Sequence, residues 1–159
     1  MKKLNLSLTV IFLSLLLFAG TYPRSGEVFA EGASPVTVQS KQNFDNTVSE
    51  IRKMVKKNGM MVLSEINQGK ILSMTGLSVK AVSLFVGNPQ IGNKLFSADH
   101  AVGLAVPVRL NVYEGKDGKT YVNYVKPSDQ LASYKNNEIQ MIAKKLDQKL
   151  AMLTGMLSK

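Results

Sequence analysis

The chain has 159 residues, the size of a single domain with a core of ordinary extent. It contains no cysteine, which excludes disulfides, thiol redox chemistry and cysteine catalysis. Twenty basic residues against eleven acidic ones give a formal net charge of +9, and the basic residues are scattered without long runs. This pattern is typical of a solvated basic surface.

The first thirty residues have the order of a secretory signal peptide. A basic start precedes an apolar run over residues 4–19, and Val28-Phe29-Ala30 places small or aliphatic residues at the positions that a signal peptidase reads. We therefore predict cleavage between Ala30 and Glu31 and export to the periplasm, the cell envelope or the medium. Export argues against nucleic acid as a partner of the basic surface.

An uncleaved membrane anchor is the alternative for this segment. The apolar run holds about sixteen residues, whereas a membrane-spanning helix needs about 20, and Tyr22-Pro23-Arg24 ends the run. Cleavage would remove Lys2, Lys3, Arg24 and Glu27 and leave a net charge of +7. A surface of this charge allows weak contact with an anionic membrane or an acidic wall polymer.

Residues 31–35 are interpreted as a linker or new N-terminus, and residues 36–159 as a single globular domain. Val36-Thr37-Val38 predicts the first strand. The helix that follows has Asn43 as a plausible N-cap and Asn58-Gly59 as its stop. Its apolar stripe consists of Phe44, Val48, Ile51 and Val55.

The middle of the chain alternates strands with short helices. Residues 60–66 predict a second strand, and a short helix runs from about Gln68 to Thr75. A third strand over residues 80–86 ends at Gly87-Asn88-Pro89, where a turn is followed by a helix that begins at Pro89.

A β-hairpin and a long helix complete the domain. Residues 104–113 and 120–125 are predicted to be strands around a turn at residues 115–118, and the first of them alternates apolar and polar side chains after Pro107. The last helix begins near Ser128 or nearer Asn137. Its apolar stripe consists of Ile139, Ile142, Leu146, Leu150, Leu153 and Leu157.

The order of elements, β-α-β-α-β-α-β-β-α, predicts an α/β (α+β) two-layer sandwich. We expect one mixed sheet of about five strands with the helices mainly on one face. The alternation in the hairpin indicates that its strands keep one face in water.

Three blocks of the sequence resemble the family known as domain of unknown function 302. They are the strand that ends in Gly87-Asn88-Pro89, the block from Gly103 to Leu110 with its Gly-Leu-x-x-Pro start, and Val112-Tyr113-Glu114 followed by Asp117-Gly118 and Tyr121-Val122. The resemblance implies a compact α/β domain, often paired as a homodimer, and no settled biochemical role. Relatives commonly carry Asp-His where this chain has Asn67-Gln68, so a function that rests on that histidine is lost here.

The best candidate surface is the second face of the hairpin. Arg109, Tyr113, Tyr121 and Asn123 combine a fixed cation, two aromatic rings and an amide, which suits a small ligand or a partner protein. An ordinary solvated sheet face is the alternative. Asn88 is a further candidate, because backbone N–H groups at a helix start can hold an anion, although Pro89 removes one donor.

No catalytic, metal or cofactor site is predicted. His100 is the only histidine, and Asp99 beside it does not complete a set of three or four metal ligands. A serine hydrolase would need His100 as base, and no Gly-x-Ser-x-Gly elbow is present. The methionines lack the clustering of a copper-handling protein and fit core packing better.

The leading hypothesis is therefore a non-enzymatic exported domain that binds a small ligand or a partner protein, as a homodimer. The first alternative is a cell-envelope enzyme or a metal- or haem-binding protein that depends on His100. The second is a peripheral membrane-surface protein that uses Lys144, Lys145 and Lys149 of the last helix.

Overall fold

The computed structural model describes residues 34–158. The predicted signal peptide and its cleavage site lie outside the described residues. The strands are β1 (Val36–Gln39), β2 (Met61–Asn67), β3 (Ala81–Gly87), β4 (Val108–Glu114) and β5 (Thr120–Tyr124). The helices are α1 (Phe44–Lys57), α2 (Gln68–Ser73), α3 (Pro89–Ala98), a 3-10 helix (His100–Leu104), α4 (Pro127–Gln130) and α5 (Asn137–Gly155).

The five strands form one sheet in the order β1-β5-β4-β3-β2. The predicted α+β class and order of elements are confirmed, but the expectation of a mixed sheet was wrong in detail, since all four pairings are antiparallel. The helical segments between β2 and β3 and between β3 and β4 each connect neighbours that run in opposite directions. Only α1 joins strands of the same direction, and these lie at opposite edges of the sheet.

One face of the sheet packs against helices and forms the main hydrophobic core with them. Alternate residues of the central strands are buried, and Leu84, Leu110 and Val112 at their middle are no more than 1% exposed. They pack in one cluster with Ile51 of α1 and Leu150 of α5. The strand side chains that alternate onto this face pack against the apolar stripes of α1 and α5, as the sequence predicts.

The helix boundaries follow side-chain caps. Asn43 accepts a hydrogen bond from the Asn46 amide at 3.0 Å, which confirms the predicted start of α1. Asn136 caps α5, so the later of its two predicted starts is correct, and residues 127–130 form the separate helix α4. No helix within residues 34–158 is both long and apolar enough to cross a membrane.

Residues 100–104 form a 3-10 helix, whereas the sequence predicts a strand over residues 104–113. The Asp99 carboxylate accepts a hydrogen bond from the Ala101 amide at 2.8 Å and starts a turn. Val102 of this turn is buried in a second cluster. The cluster also contains Leu95 of α3, Ile139 of α5 and Leu131, which directly follows α4. Strand β4 therefore begins only at Val108.

Of two buried hydroxyl groups, one is hydrogen-bonded and the other has no partner within residues 34–158. The Thr47 hydroxyl lies 2.8 Å from Ser40 Oγ and 2.8 Å from the carbonyl oxygen of Asn43. Ser83, which is 2% exposed on β3, has no hydrogen-bond partner for its Oγ within the described residues. The first hydroxyl stabilises the fold, whereas the second carries an uncompensated desolvation cost.

We expect Ser83→Ala to leave the free energy of unfolding unchanged or to raise it by up to about 1 kcal/mol, because the hydroxyl removed has no partner. The matched variant Thr47→Val should lower it by about 1–3 kcal/mol. Urea unfolding followed by circular dichroism measures both. A loss of more than about 1 kcal/mol for Ser83→Ala would show that its hydroxyl is hydrogen-bonded.

Candidate functional site

The face of the sheet opposite the main core, here called the open face, carries four of the five predicted site residues. It is formed by the alternate side chains that do not enter either hydrophobic cluster. The residues are Thr37, Gln39, Ser64, Ile66, Ala81, Ser83, Phe85, Arg109, Asn111, Tyr113, Tyr121 and Asn123. All except Ser83 are exposed or half-buried.

Two of the predicted residues form an aromatic pair. Tyr113 and Tyr121 lie opposite each other on β4 and β5, and their rings stack with centroids 5.5 Å apart. The Tyr121 hydroxyl donates to Asp117 Oδ2 at 2.7 Å, which lowers the pKa of the Asp117 carboxyl and raises the pKa of Tyr121. The absence of a side chain at Gly115 leaves room for this ring, since a Cβ there would lie 2.8 Å from Tyr121 Cε2. The hairpin turn therefore fixes the orientation of the pair.

The next row of the open face consists of polar groups. The Asn111 amide donates to Asn123 Oδ1 at 3.0 Å across β4 and β5. Its own Oδ1 is buried and has no partner in the described chain, and the unpartnered Ser83 lies opposite it on β3. Two facing residues of this face thus each have a polar atom that lacks a hydrogen-bond partner within residues 34–158.

Arg109 lies at the other end of β4 from the tyrosines. It is exposed, and the residue opposite it on β3 is Phe85. Tyr113 lies four positions further along β4, about 13 Å away along the backbone. Arg109 therefore shares one face with the two rings but lies toward the other end of the strand.

Asn88 does not belong to the open face. Its Oδ1 accepts hydrogen bonds from the amides of Gln90 and Ile91 at 2.8 and 3.1 Å, and its Nδ2 donates to the carbonyl oxygen of Gly59 at 2.6 Å. The side chain therefore caps α3 and joins it to the turn after α1. The amides that were considered for an anion already have a partner in this side chain.

His100 is the exposed first residue of the 3-10 helix. Within residues 34–158, no three side chains of the His, Cys, Asp and Glu types lie close enough together to hold a metal ion. Asn67 caps α2 by accepting a hydrogen bond from the Lys70 amide at 2.8 Å.

Strand β2 carries a surface that was not singled out from the sequence. It is an edge strand, and Met61, Leu63 and Ile66 are 48%, 51% and 40% exposed. The segment between β2 and β3 adds further exposed apolar side chains, namely Ile71, Leu72, Met74, Leu77 and Val79. The apolar run Met60-Met61-Val62-Leu63 signalled a strand, but only the strand order reveals that the strand lies at an edge.

Comparisons with known proteins agree with this architecture. The crystal structure of an uncharacterised conserved protein from Bacillus stearothermophilus superposes with a TM-score of 0.72 at 24% identity. The match covers 77% of this chain and 97% of that chain. At this identity the likeness shows the fold.

Two curated relatives are named fluoride-specific ion channel FluC 1, from Brucella suis and Brucella abortus. Each is 28% identical over 108 residues, or 67% of this chain. The match spans 42% of the first channel and 39% of the second, so the chain spans less than half the length of these relatives.

A family model also matches most of the chain. The family described as domain of unknown function DUF302 matches residues 36–157, from the first residue of β1 to beyond the end of α5. The Bacillus stearothermophilus structure carries the same family description. The chain therefore belongs to the DUF302 family, as its sequence blocks suggested.

Proposed function

We propose that this protein is a non-enzymatic binding module of the cell envelope. It pairs with a second copy of itself through β2 and offers its open face to a small ligand or a further protein. The observation that carries this proposal is the exposed apolar edge strand β2, which is seven residues long. The unpaired N–H and C=O groups of such an edge are a ready template for another strand.

The two edges of the sheet differ in a way that supports this role for β2. At the opposite edge, β1 has four residues, and its exposed side chains are the polar Thr37 and Gln39. Short, polar edge strands are a common protection against unwanted pairing. The one charge on β2, Glu65, is held by Arg52 of α1 at 2.6 Å, and so the other exposed side chains of this edge are uncharged.

A two-fold axis beside β2 would continue the sheet into the second copy. A bulge between Val62 and Ser64 bends the start of the strand, so the regular part available for pairing is Ser64–Asn67. Such an interface is self-complementary, and Ile66 of each copy would approach the same strand of the other. The open faces of both copies would then form one surface.

The curated relatives bear on this proposal through their length. They are channels by name, and less than half of each is matched by this chain. We infer that the domain can serve beside other functional units in a longer protein, which suits a binding role. Ion conduction is not part of the proposal.

Ile66→Lys is expected to weaken self-association more than tenfold, because two like charges would face each other across the two-fold axis, at a cost of roughly several kcal/mol. Sedimentation velocity over a range of protein concentrations measures this. The matched control is Thr37→Lys, which adds the same charge on the same face at the opposite edge and should not change the association constant.

Circular dichroism should show that both lysine variants fold, since both positions are exposed. A wild-type protein that stays monomeric at every concentration would refute pairing. Equal association of the wild type and both variants would move the interface away from β2.

Arg109→Ala and Tyr113→Ala should leave the free energy of unfolding within about 1 kcal/mol of the wild-type value, because both side chains lie outside the core. Each should reduce the amount of any ligand that native mass spectrometry detects on protein purified from its host. Lys116→Ala, which removes an exposed cation from the hairpin turn, is the control. Undiminished retention in both open-face variants would exclude this face as the binding site.

The proposal places the protein in the cell envelope after signal cleavage. We expect protein recovered from the host to begin at Glu31, because Ala30 ends the predicted cleavage site. N-terminal sequencing tests this. An intact N-terminus in the membrane fraction would instead support the uncleaved anchor.

A further inference from the structure

An apolar cavity lies away from the open face, where α3 packs beside the ends of β3 and β4. Its volume is about 180 Å³. Its wall includes Leu63, Ile91, Gly92, Phe96, Val106 and Pro107. Leu63 and Phe96 are 51% and 42% exposed, so the wall is accessible from solvent. An apolar cavity of about 150 Å³ is large enough to take up a benzene-sized group.

Gly92 gives this cavity part of its space. It lies inside α3, where glycine is less stable than alanine by roughly 0.5–1 kcal/mol. A Cβ built at this position would meet no atom within 4 Å. Local packing does not require the absence of a side chain here, and its effect is to keep the cavity open.

A basic cleft adjoins the cavity. Lys94 of α3 and Lys145 and Lys149 of α5 line it, and its volume is about 280 Å³. Ile91 and Leu146 line both the cavity and the cleft, so the two spaces are neighbours. Among residues 34–158, no acidic side chain lines either space.

The charges of this cleft are not neutralised by carboxylates within residues 34–158. The ion pairs of the described chain do not involve Lys94, Lys145 or Lys149. Lys149 donates to the carbonyl oxygen of Asn58 at 2.8 Å, which fixes one ammonium group in place. Lys145 and Lys149 are four residues apart on one helix, an arrangement of like charges that is unfavourable by itself. An anion between them and Lys94 would relieve this repulsion.

We propose that the cavity and cleft together bind a single-chain anionic amphiphile of the fatty-acid class. The alkyl chain enters the cavity between α3 and the sheet, and the carboxylate lies among the three lysines. The small volume of the cavity selects one chain of medium length over a two-chain lipid, since pockets for larger ligands measure about 300–1,000 Å³. The site shares Leu63 with β2, but it includes neither the pairing stretch Ser64–Asn67 nor any residue of the open face. The inference therefore does not depend on the proposed self-association.

Decanoate is a suitable probe, with decanol and decyltrimethylammonium as ligands that keep the chain and change the head group. Isothermal titration calorimetry should show that decanoate binds more tightly than either, and that added salt weakens its binding. The double variant Lys94→Gln/Lys145→Gln should weaken decanoate about tenfold and leave decanol unchanged, because it removes the charge-assisted contacts only. The control is Lys144→Gln, an exposed lysine of α5 that does not line the cleft.

Gly92→Leu tests the cavity, because its side chain would fill the space for the alkyl group. Binding of decanoate and of decanol should both fall at least tenfold. Gly92→Ala, which favours the helix and fills less of the cavity, should weaken both ligands less and guards against a folding defect in the larger variant. Thermal unfolding confirms that each variant is folded.

The proposal fails if decanoate does not bind. It also fails if decyltrimethylammonium binds as well as decanoate, or if Gly92→Leu leaves decanoate binding intact. The monomer-forming variant Ile66→Lys should bind decanoate as the wild type does. The self-association and the amphiphile site can thus be refuted independently.

Discussion

One-sided burial of the sheet is the constraint on which the rest of this molecule depends. Because strand side chains alternate between faces, the residues that pack against α1 and α5 commit their neighbours to the opposite side. Leu84, Leu110 and Val112 are buried in this way, and Phe85, Arg109 and Tyr113 are consequently presented on the open face. A shift of one residue in the pairing would exchange the two sets.

The helices are divided between two hydrophobic clusters. α1 and the C-terminal half of α5 cover the sheet, whereas α3, the 3-10 helix and the N-terminal half of α5 form a second cluster around Leu95, Leu131 and Ile139. The cavity and the basic cleft occur where these two groups meet. At a junction between two separately packed clusters, complete filling is difficult, and ligand sites often lie at such places.

The sequence predicted those parts of the structure that depend on local chemistry. The cap at Asn43, the start of a helix at Pro89 and the alternation in β4 and β5 follow from residues close together in the chain. The edge position of β2 does not, because it depends on β1 pairing with β5 instead of β2. The cavity residue Gly92 and the cleft residue Lys94 were equally beyond prediction, since their role arises from contacts among α3, α5 and the sheet.

The pairing of β1 with β5 also governs the order in which the sheet can be completed. Residues 36–39 find their partners only at residues 121–124, so the first strand to be synthesised is the last to receive its neighbour. Contacts between such distant parts of a chain form slowly, because a large loop must close first. A nascent chain therefore holds an incomplete sheet until residues 121–124 have left the ribosome. Such a delay suits the export that we propose, in which a chain crosses a membrane before it folds.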